Sequence, residues 1–403
     1  MSSTSNNDYT NNRTNLWIVI VGLLLGILMA NFSAIFPTVD VFDYLEARSI
    51  DACFRLRGPI KPETNDVVIV TADETTNREI SRQWPYSRAI WAHTVDNLNA
   101  AGAKVIAFDL LFDSPADSAG DEEFAQAVKR AGNVVLAGQI AGMNNKNNQQ
   151  NDPVVILPDK RFFETGAQTG FVNVESDNNG VVRVCRTFYT IDKRNYLSLA
   201  AWSLFLYRSI PNVSDKIIVV NHNIYIGGPK IESKLDEKFL INYYGPSKTF
   251  PTYNLSQVLG DSNLVKAGNP FAGKIVLIGN SMAGNNDFKP TPFSDRNQRS
   301  TLTSGTEIQA NALQTLLSGK YYHFVNPWLQ IAIWTILGIV VVLIAGYRSI
   351  WVSTSVLVLM LGVVIVTGTL LFTRFQLIPY FIAPIGCIVS TFIITLLTRA
   401  NRG

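Results

Sequence analysis

The chain predicts an exported α/β domain with a mainly parallel sheet and an added β-hairpin region, held by four transmembrane α-helices. Two observations carry that expectation. Three consecutive charge-free stretches, Val325 to Tyr347, Ser349 to Thr373 and Phe375 to Thr398, are separated only by Arg348 and Arg374. Each exceeds the roughly 20 apolar residues that span a hydrocarbon core as a helix. Ahead of them, short β-branched runs that end in polar or glycine turns alternate with helical patterns, as βαβ units do.

A fourth apolar stretch, Leu16 to Phe36, lies near the N-terminus. Cytoplasmic flanks retain Lys and Arg during insertion, so an inward N-terminus puts Arg13, Arg348, Arg399 and Arg402 inside, against Arg374 and Lys320 outside. The expected layout is a tail at 1–15, a span at 16–36, an extracytoplasmic domain at 37–324, spans at 325–347, 349–373 and 375–398, and a tail at 399–403. The first span competes with a cleaved signal peptide. Asn31, Phe32 and Ser33, which follow Ala30, offer no small-x-small cleavage site, which favours an uncleaved anchor.

Composition agrees: 47% of residues are hydrophobic and only 16% charged, below the roughly 25% charged residues of a soluble domain. A formal net charge of +3, with no basic run interleaved with aromatics, argues against a nucleic-acid partner. Cys387 falls in the last span, which leaves Cys53 and Cys185 as the one exported pair, bridged or separate. His93, His222 and His323 are scattered and no CxxC or HExxH spacing occurs, so neither a metal site nor a cofactor is expected.

Within the exported segment, Val67 to Ala72 ends in Asp73-Glu74, Val105 to Phe108 in Asp109, Val134 to Ala137 in Gly138, and Ile275 to Ile278 in Gly279-Asn280. Continuous apolar runs suit strands covered on both faces. Arg88 to Ala101 supplies a helix, with Ile90, Trp91, Val95 and Leu98 at helical spacing before Gly102, and Asp121 to Arg130 supplies another. Lys216 to Gly227 reads as a hairpin turning at Asn221-His222-Asn223, and Phe239 to Tyr243 as a further strand. The polar run Met143 to Asp152 reads as a surface loop.

In this order the landmarks resemble the CHASE2 extracytoplasmic sensory domain of bacterial receptors. The residues that carry the resemblance are Asp51 to Pro59 (DACFRLRGP), Val67 to Glu74 (VVIVTADE), Trp84 to Arg88 (WPYSR) and Ala101 to Pro115 (AGAKVIAFDLLFDSP). Gly170 to Arg183 (GFVNVESDNNGVVR), Phe271 to Gly284 (FAGKIVLIGNSMAG) and Gly305 to Gly319 (GTEIQANALQTLLSG) continue it. The resemblance implies a multi-pass protein of the bacterial inner membrane whose sensor faces the periplasm or the outside. In relatives the last helix leads to a cyclase, kinase or diguanylate cyclase. Here only Arg399 to Gly403 follow it, and a catalytic domain needs on the order of 100 residues. No enzyme activity is expected of this chain.

Ligands of open α/β sheets bind beyond the carboxyl ends of the strands. The candidate ligand residues there are Asp73, Glu74, Asp109, Asp113, Asn280, Ser281 and Asp287, with Ser114 beside them. Taken singly, each Asp reads first as a cap for the helix or turn that follows it, and it is their joint presence on one edge that argues for a ligand. Arg88, within the WPYSR motif, is expected to pair with Asp73 or Asp109, and Arg57 to brace the domain beside the first span. Gly279 to Gly284 lacks the GxxxxGK[ST] pattern of a nucleotide loop.

The function expected is an integral membrane sensor: the exported domain binds a ligand or protein partner and passes a change through its helices. Its partners would be membrane lipid, a second copy in a dimer, an extracytoplasmic protein and a separate cytoplasmic output protein. The alternatives are a structural envelope protein that anchors an extracytoplasmic assembly, and the sensor half of a longer cyclase or kinase.

Overall fold

In the computed structural model the apolar runs become strands whose alternate residues face opposite sides of one sheet. The structure describes residues 41–142, 153–209, 217–220, 223–226, 230–232, 238–260, 268–282, 284, 287–295, 298–326, 328–330 and 349–400, with isolated positions in 17–24 and 332–340.

The chain forms two compact units. One comprises Gly58–Tyr321, and the other joins Met1–Arg57 to Tyr322–Gly403. Helix α1 (Val41–Arg57) groups with the apolar helices rather than with the α/β unit.

The elements of the α/β unit, in order, are β1 (Val67–Ala72), α2 (Glu74–Glu79), α3 (Arg88–Ala100), β2 (Val105–Leu111), α4 (Ser118–Ala131), β3 (Val134–Ala141), β4 (Val154–Ile156), α5 (Lys160–Phe163), β5 (Gln168–Phe171), β6 (Glu175–Ser176), β7 (Val182–Arg186), β8 (Phe188–Ile191), β9 (Arg194–Leu197), α6 (Leu199–Tyr207), β10 (Ile217–Val220), β11 (Asn223–Ile226), β12 (Lys230–Glu232), β13 (Lys238–Leu240), β14 (Thr252–Asn254), α7 (Leu255–Leu259), β15 (Ile275–Asn280), β16 (Phe288–Lys289), β17 (Thr303–Ser304) and α8 (Gly305–Ser318). The main sheet runs β14-β1-β15-β2-β3, with β5 parallel to β3 and β4 antiparallel beside it. All pairings along β14-β1-β15-β2-β3 are parallel.

Val68, Val70, Ala72, Ile106, Phe108, Val276 and Ile278 enter one core with Trp91, Val95 and Leu98 of α3 and Phe124, Ala127 and Val128 of α4. The intervening Val67, Ile69, Val105, Ala107, Ile275 and Leu277 are buried too, on the face where α6 and α8 pack. Burial on both faces is the reason these strands show no polar alternation. Helix α4 starts where Asp117 accepts the Gly120 amide and stops at Gly132, whose φ of 67° suits glycine.

The expected hairpin is present: β10 and β11 pair antiparallel, Val220 opposite Asn223, so that Asn223 of the expected turn opens β11 while 221 and 222 lie outside the described residues. The strand expected over Phe239 to Tyr243 is shorter, at Lys238–Leu240 paired with β7. The backbone beyond it is instead held by α8. Asn311 accepts the Tyr244 amide at 2.9 Å, Thr315 the Asn242 amide at 3.0 Å, and Glu307 the Lys248 and Thr249 amides at 2.9 and 2.8 Å. Polar residues on a helix buried nearly all round thus satisfy a loop that has no ladder of its own. The surface loop expected at 143–152 lies outside the described residues.

In the other unit, β18 (His323–Phe324) pairs parallel with β19 (Leu377–Ile378), which lies between α9 (Ile350–Phe375) and α10 (Ile382–Ala400). Helix α9 spans 26 residues and is long and apolar enough to cross a membrane. Its Val358, Leu359, Val366 and Leu370 point outward, half or more exposed. It packs on α10 through Met360, Ile388 and Phe392. The first expected span falls almost wholly outside the described residues, and the second partly so. Among the described residues, one helix meets the length and hydropathy of a membrane span, not four. Arg57 ends α1 by donating to the Tyr322 hydroxyl at 2.8 Å, with its guanidinium 4.9 Å from the Phe54 ring centre.

Candidate functional site

Strands β2 and β15 lie side by side, yet β2 leads to α4 on one face and β15 to α8 on the other. Such a divergence opens a crevice at the carboxyl edge of the sheet. There the α/β unit has a cleft of about 640 Å³ whose polar lining includes Asp109, Gln139, Asn173, Asn280, Asp287 and Lys289.

The local sequence explains how α8 reaches the cleft. Ser304 caps the helix by accepting the Glu307 amide, and Gly305 and Gly279 carry no side chain where one would collide. A Cβ on Gly305 would strike the Asp287 carboxylate, and one on Gly279 would strike the Thr306 hydroxyl and come within 2.8 Å of its Cβ. Two glycines therefore let the first turn of α8 sit against the end of β15. The Thr306 hydroxyl donates to Asp109 Oδ2 at 2.8 Å.

Burial pushes the Asp109 carboxyl well above the usual carboxylate range, and the nearby charge of Asp287 pushes it the same way, against the Thr306 hydrogen bond. Asp287 is raised by burial as well, with Lys289 and the Gly305 amide opposing. Asn280 is 7% exposed; its Oδ1 accepts the Met282 amide at 2.8 Å and its Nδ2 has no partner. Asn173 stiffens the opposite wall by exchanging hydrogen bonds with the Ile140 backbone at 2.8 and 2.7 Å. Trp84, at a cis peptide bond with Pro85, lines the cleft and packs its ring edge against Tyr86 at 5.3 Å.

Of the residues chosen from sequence, the structure brings Asp109, Asn280 and Asp287 together and places the others elsewhere. Asp73 caps α2, accepting the Thr76 amide at 2.9 Å and the Asn254 amide at 2.7 Å. Glu74 is exposed in the first turn of α2. Asp113 is exposed and accepts from Ser114 at 3.5 Å. Ser281 accepts from Thr71 at 2.6 Å.

The pairing expected for Arg88 is corrected: its Nε lies 3.5 Å from Asp121, not against Asp73 or Asp109, and its guanidinium stacks 4.5 Å above Phe112. The reason is that α3 and α4 pack together on the face away from α8. Cys53 and Cys185 are both buried free thiols, pushed up to about 12, chiefly by burial.

Lys289, Thr306 and Asn173 were missed. The Ser304-x-x-Glu307 spacing marks a helix start in the sequence, but nothing local says that this start faces Asp109.

The model of the CHASE2 domain family matches residues 19–347. The chain belongs to the CHASE2 family. CHASE2 domains are extracytoplasmic and sensory, which is consistent with a sensor role for this chain. No curated protein and no solved structure matches the chain significantly. The matched range includes the whole α/β unit, so every residue of the cleft lies inside the CHASE2 region.

Proposed function

We propose that this CHASE2 protein is a multi-pass bacterial inner-membrane sensor that binds a small polar ligand in the cleft at the carboxyl edge of its parallel sheet. The observation that carries the reading is the gathering of two carboxylates and an unsatisfied amide, Asp109, Asp287 and Asn280, along one cleft at the divergence of β2 and β15. A volume of about 640 Å³ falls within the range of small-molecule sites.

Helix α8 supplies a route outward. Its first turn contacts Asp109 and its last leads through Lys320 to Tyr321, where the α/β unit ends. Fourteen helical residues extend about 21 Å. A ligand that favours one position of α8 by a few kcal/mol shifts the population of states that leave the unit at Tyr321. A second copy and a separate output chain then read the change. The reading is of binding, not turnover; the carboxylates, amides and ammonium that line the cleft support it.

The test is a screen of water-soluble metabolites against the full chain in lipid nanodiscs, read by thermal shift and by hydrogen exchange along 305–318. A binder should slow exchange in α8 and lose its effect in Asp109→Asn. Binders whose effect survives that substitution would place recognition elsewhere.

A further inference from the structure

Several carboxylates in the α/β unit that lie at a distance from the cleft have cationic partners, while Glu307 is held by backbone amides and Asp73 by a backbone and a side-chain amide. Asp121 meets Arg88 and Arg161 at 3.5 and 2.7 Å, Glu175 meets Arg186 and Lys238 at 2.5 and 2.7 Å, and Asp177 meets Arg183. Asp109 and Asp287 form no ion pair among the described residues. They face one another electrostatically across the start of α8, and the nearest balancing charge is Lys289. In the same cleft the Nδ2 of Asn280, in a side chain more than nine-tenths buried, lacks an acceptor. Its Oδ1 is committed to the Met282 amide, which fixes the amide so that the donor end is the idle one.

We infer that the cleft takes a small zwitterion, an α-amino acid by chemical class, with its ammonium between Asp109 and Asp287 and its carboxylate on Asn280 Nδ2 and Lys289. This rests on the cleft being the ligand site and adds the chemistry of the ligand. An ammonium supplies the direct ion pair that Asp109 and Asp287 do not make among the described residues, and a buried carboxylate is stabilised only when it is paired and hydrogen-bonded. A simple amine would leave Asn280 and Lys289 without an acceptor, and a simple acid would leave the aspartates without a cation. A hard divalent cation calls for six to eight oxygen ligands, and no three His, Cys, Asp or Glu residues converge among the described ones. Trp84, Leu110, Ile140 and Val172 give the remaining wall an apolar character, which suits a ligand with an apolar side chain.

The experiment is calorimetric titration of the full chain in nanodiscs with the standard amino acids at millimolar concentration. For any that bind, it adds the 2-hydroxy acid and the amine of the same side chain, and calcium alone. Expected are binding by at least one amino acid and a loss of roughly ten-fold or more, about 1.4 kcal/mol, for each analogue. The same loss is expected in Asp109→Asn, which still accepts from Thr306, and in Asn280→Ser should the first variant fold poorly. Absence of binding by every amino acid overturns the assignment, as does binding by amines or calcium alone. A ligand of another class that still depends on Asp109 removes the zwitterion and leaves the cleft as the site. Binding indifferent to both substitutions removes both.

Discussion

The Thr306 hydroxyl donates to Asp109 Oδ2 at 2.8 Å, tying the first turn of α8 to the carboxyl end of β2. The contact joins the helix that leaves the α/β unit to the most strongly perturbed carboxyl of the cleft. Thr306→Val keeps the shape and removes the donor. Leaving a buried acceptor short of a partner costs about 1–3 kcal/mol, to be read as a lower denaturation midpoint of the full chain with an unchanged slope.

Stability should fall as pH rises through the titration of the acid pair. Burial raises Asp109 and Asp287 above their unfolded range, so between the unfolded and folded titrations the native state holds more protons than the unfolded state. Stability then declines with pH across that interval. Below the ordinary carboxylate range the penalty vanishes, since both states are protonated. Asp109→Asn should flatten the decline that sets in above the ordinary carboxylate range, and a profile of the variant parallel to that of the parent would refute the assignment.

Asp121 is fully buried and accepts the Ala116 amide at 3.0 Å as well as the Arg161 guanidinium at 2.7 Å, with Arg88 at 3.5 Å. Asp121→Ala leaves the Arg88 charge, largely shielded from solvent, without its partner, a loss of about 3–5 kcal/mol. Chemical denaturation measures it. A double substitution of Asp121 and Arg88 by apolar residues should recover part of the loss, because the stranded charge is then gone.

Glu46 in α1 accepts the amides of Phe381 and Ile382 at 2.8 and 3.0 Å, where the chain enters α10. Glu46→Ala orphans two amides at a helix start and should lower stability by about 1–3 kcal/mol. Glu46→Gln retains an acceptor oxygen and should be milder. Thermal unfolding in detergent micelles ranks the two, and equal losses would show that charge rather than acceptance is what matters.

The parallel sheet was legible because burial on both faces forces unbroken apolar runs, as in Val67 to Ala72 and Ile275 to Ile278. The same strands pointed to the carboxyl edge, where Asn280 ends β15, Asp109 lies two residues before the end of β2 and Asp287 immediately precedes β16. Asp73 stands at a strand end too, yet it caps α2. Strand-end position alone does not separate a cap from a ligand group, since both need a short side chain with free lone pairs.

The sequence by itself determined the alternation of strands and helices, the apolar stretches of the C-terminal region and the membership signalled by the ordered CHASE2 landmarks. These are written in local periodicity and composition, which the chain expresses before it folds. Only the tertiary structure decided that β15 lies between β1 and β2, that Arg88 turns to Asp121, and that Thr306 and Lys289 join Asp109. Those are pairings between residues far apart in the chain. They are set by the order of strands in the sheet and by what Gly279 and Gly305 lie against, Thr306 and Asp287, and no local pattern encodes either.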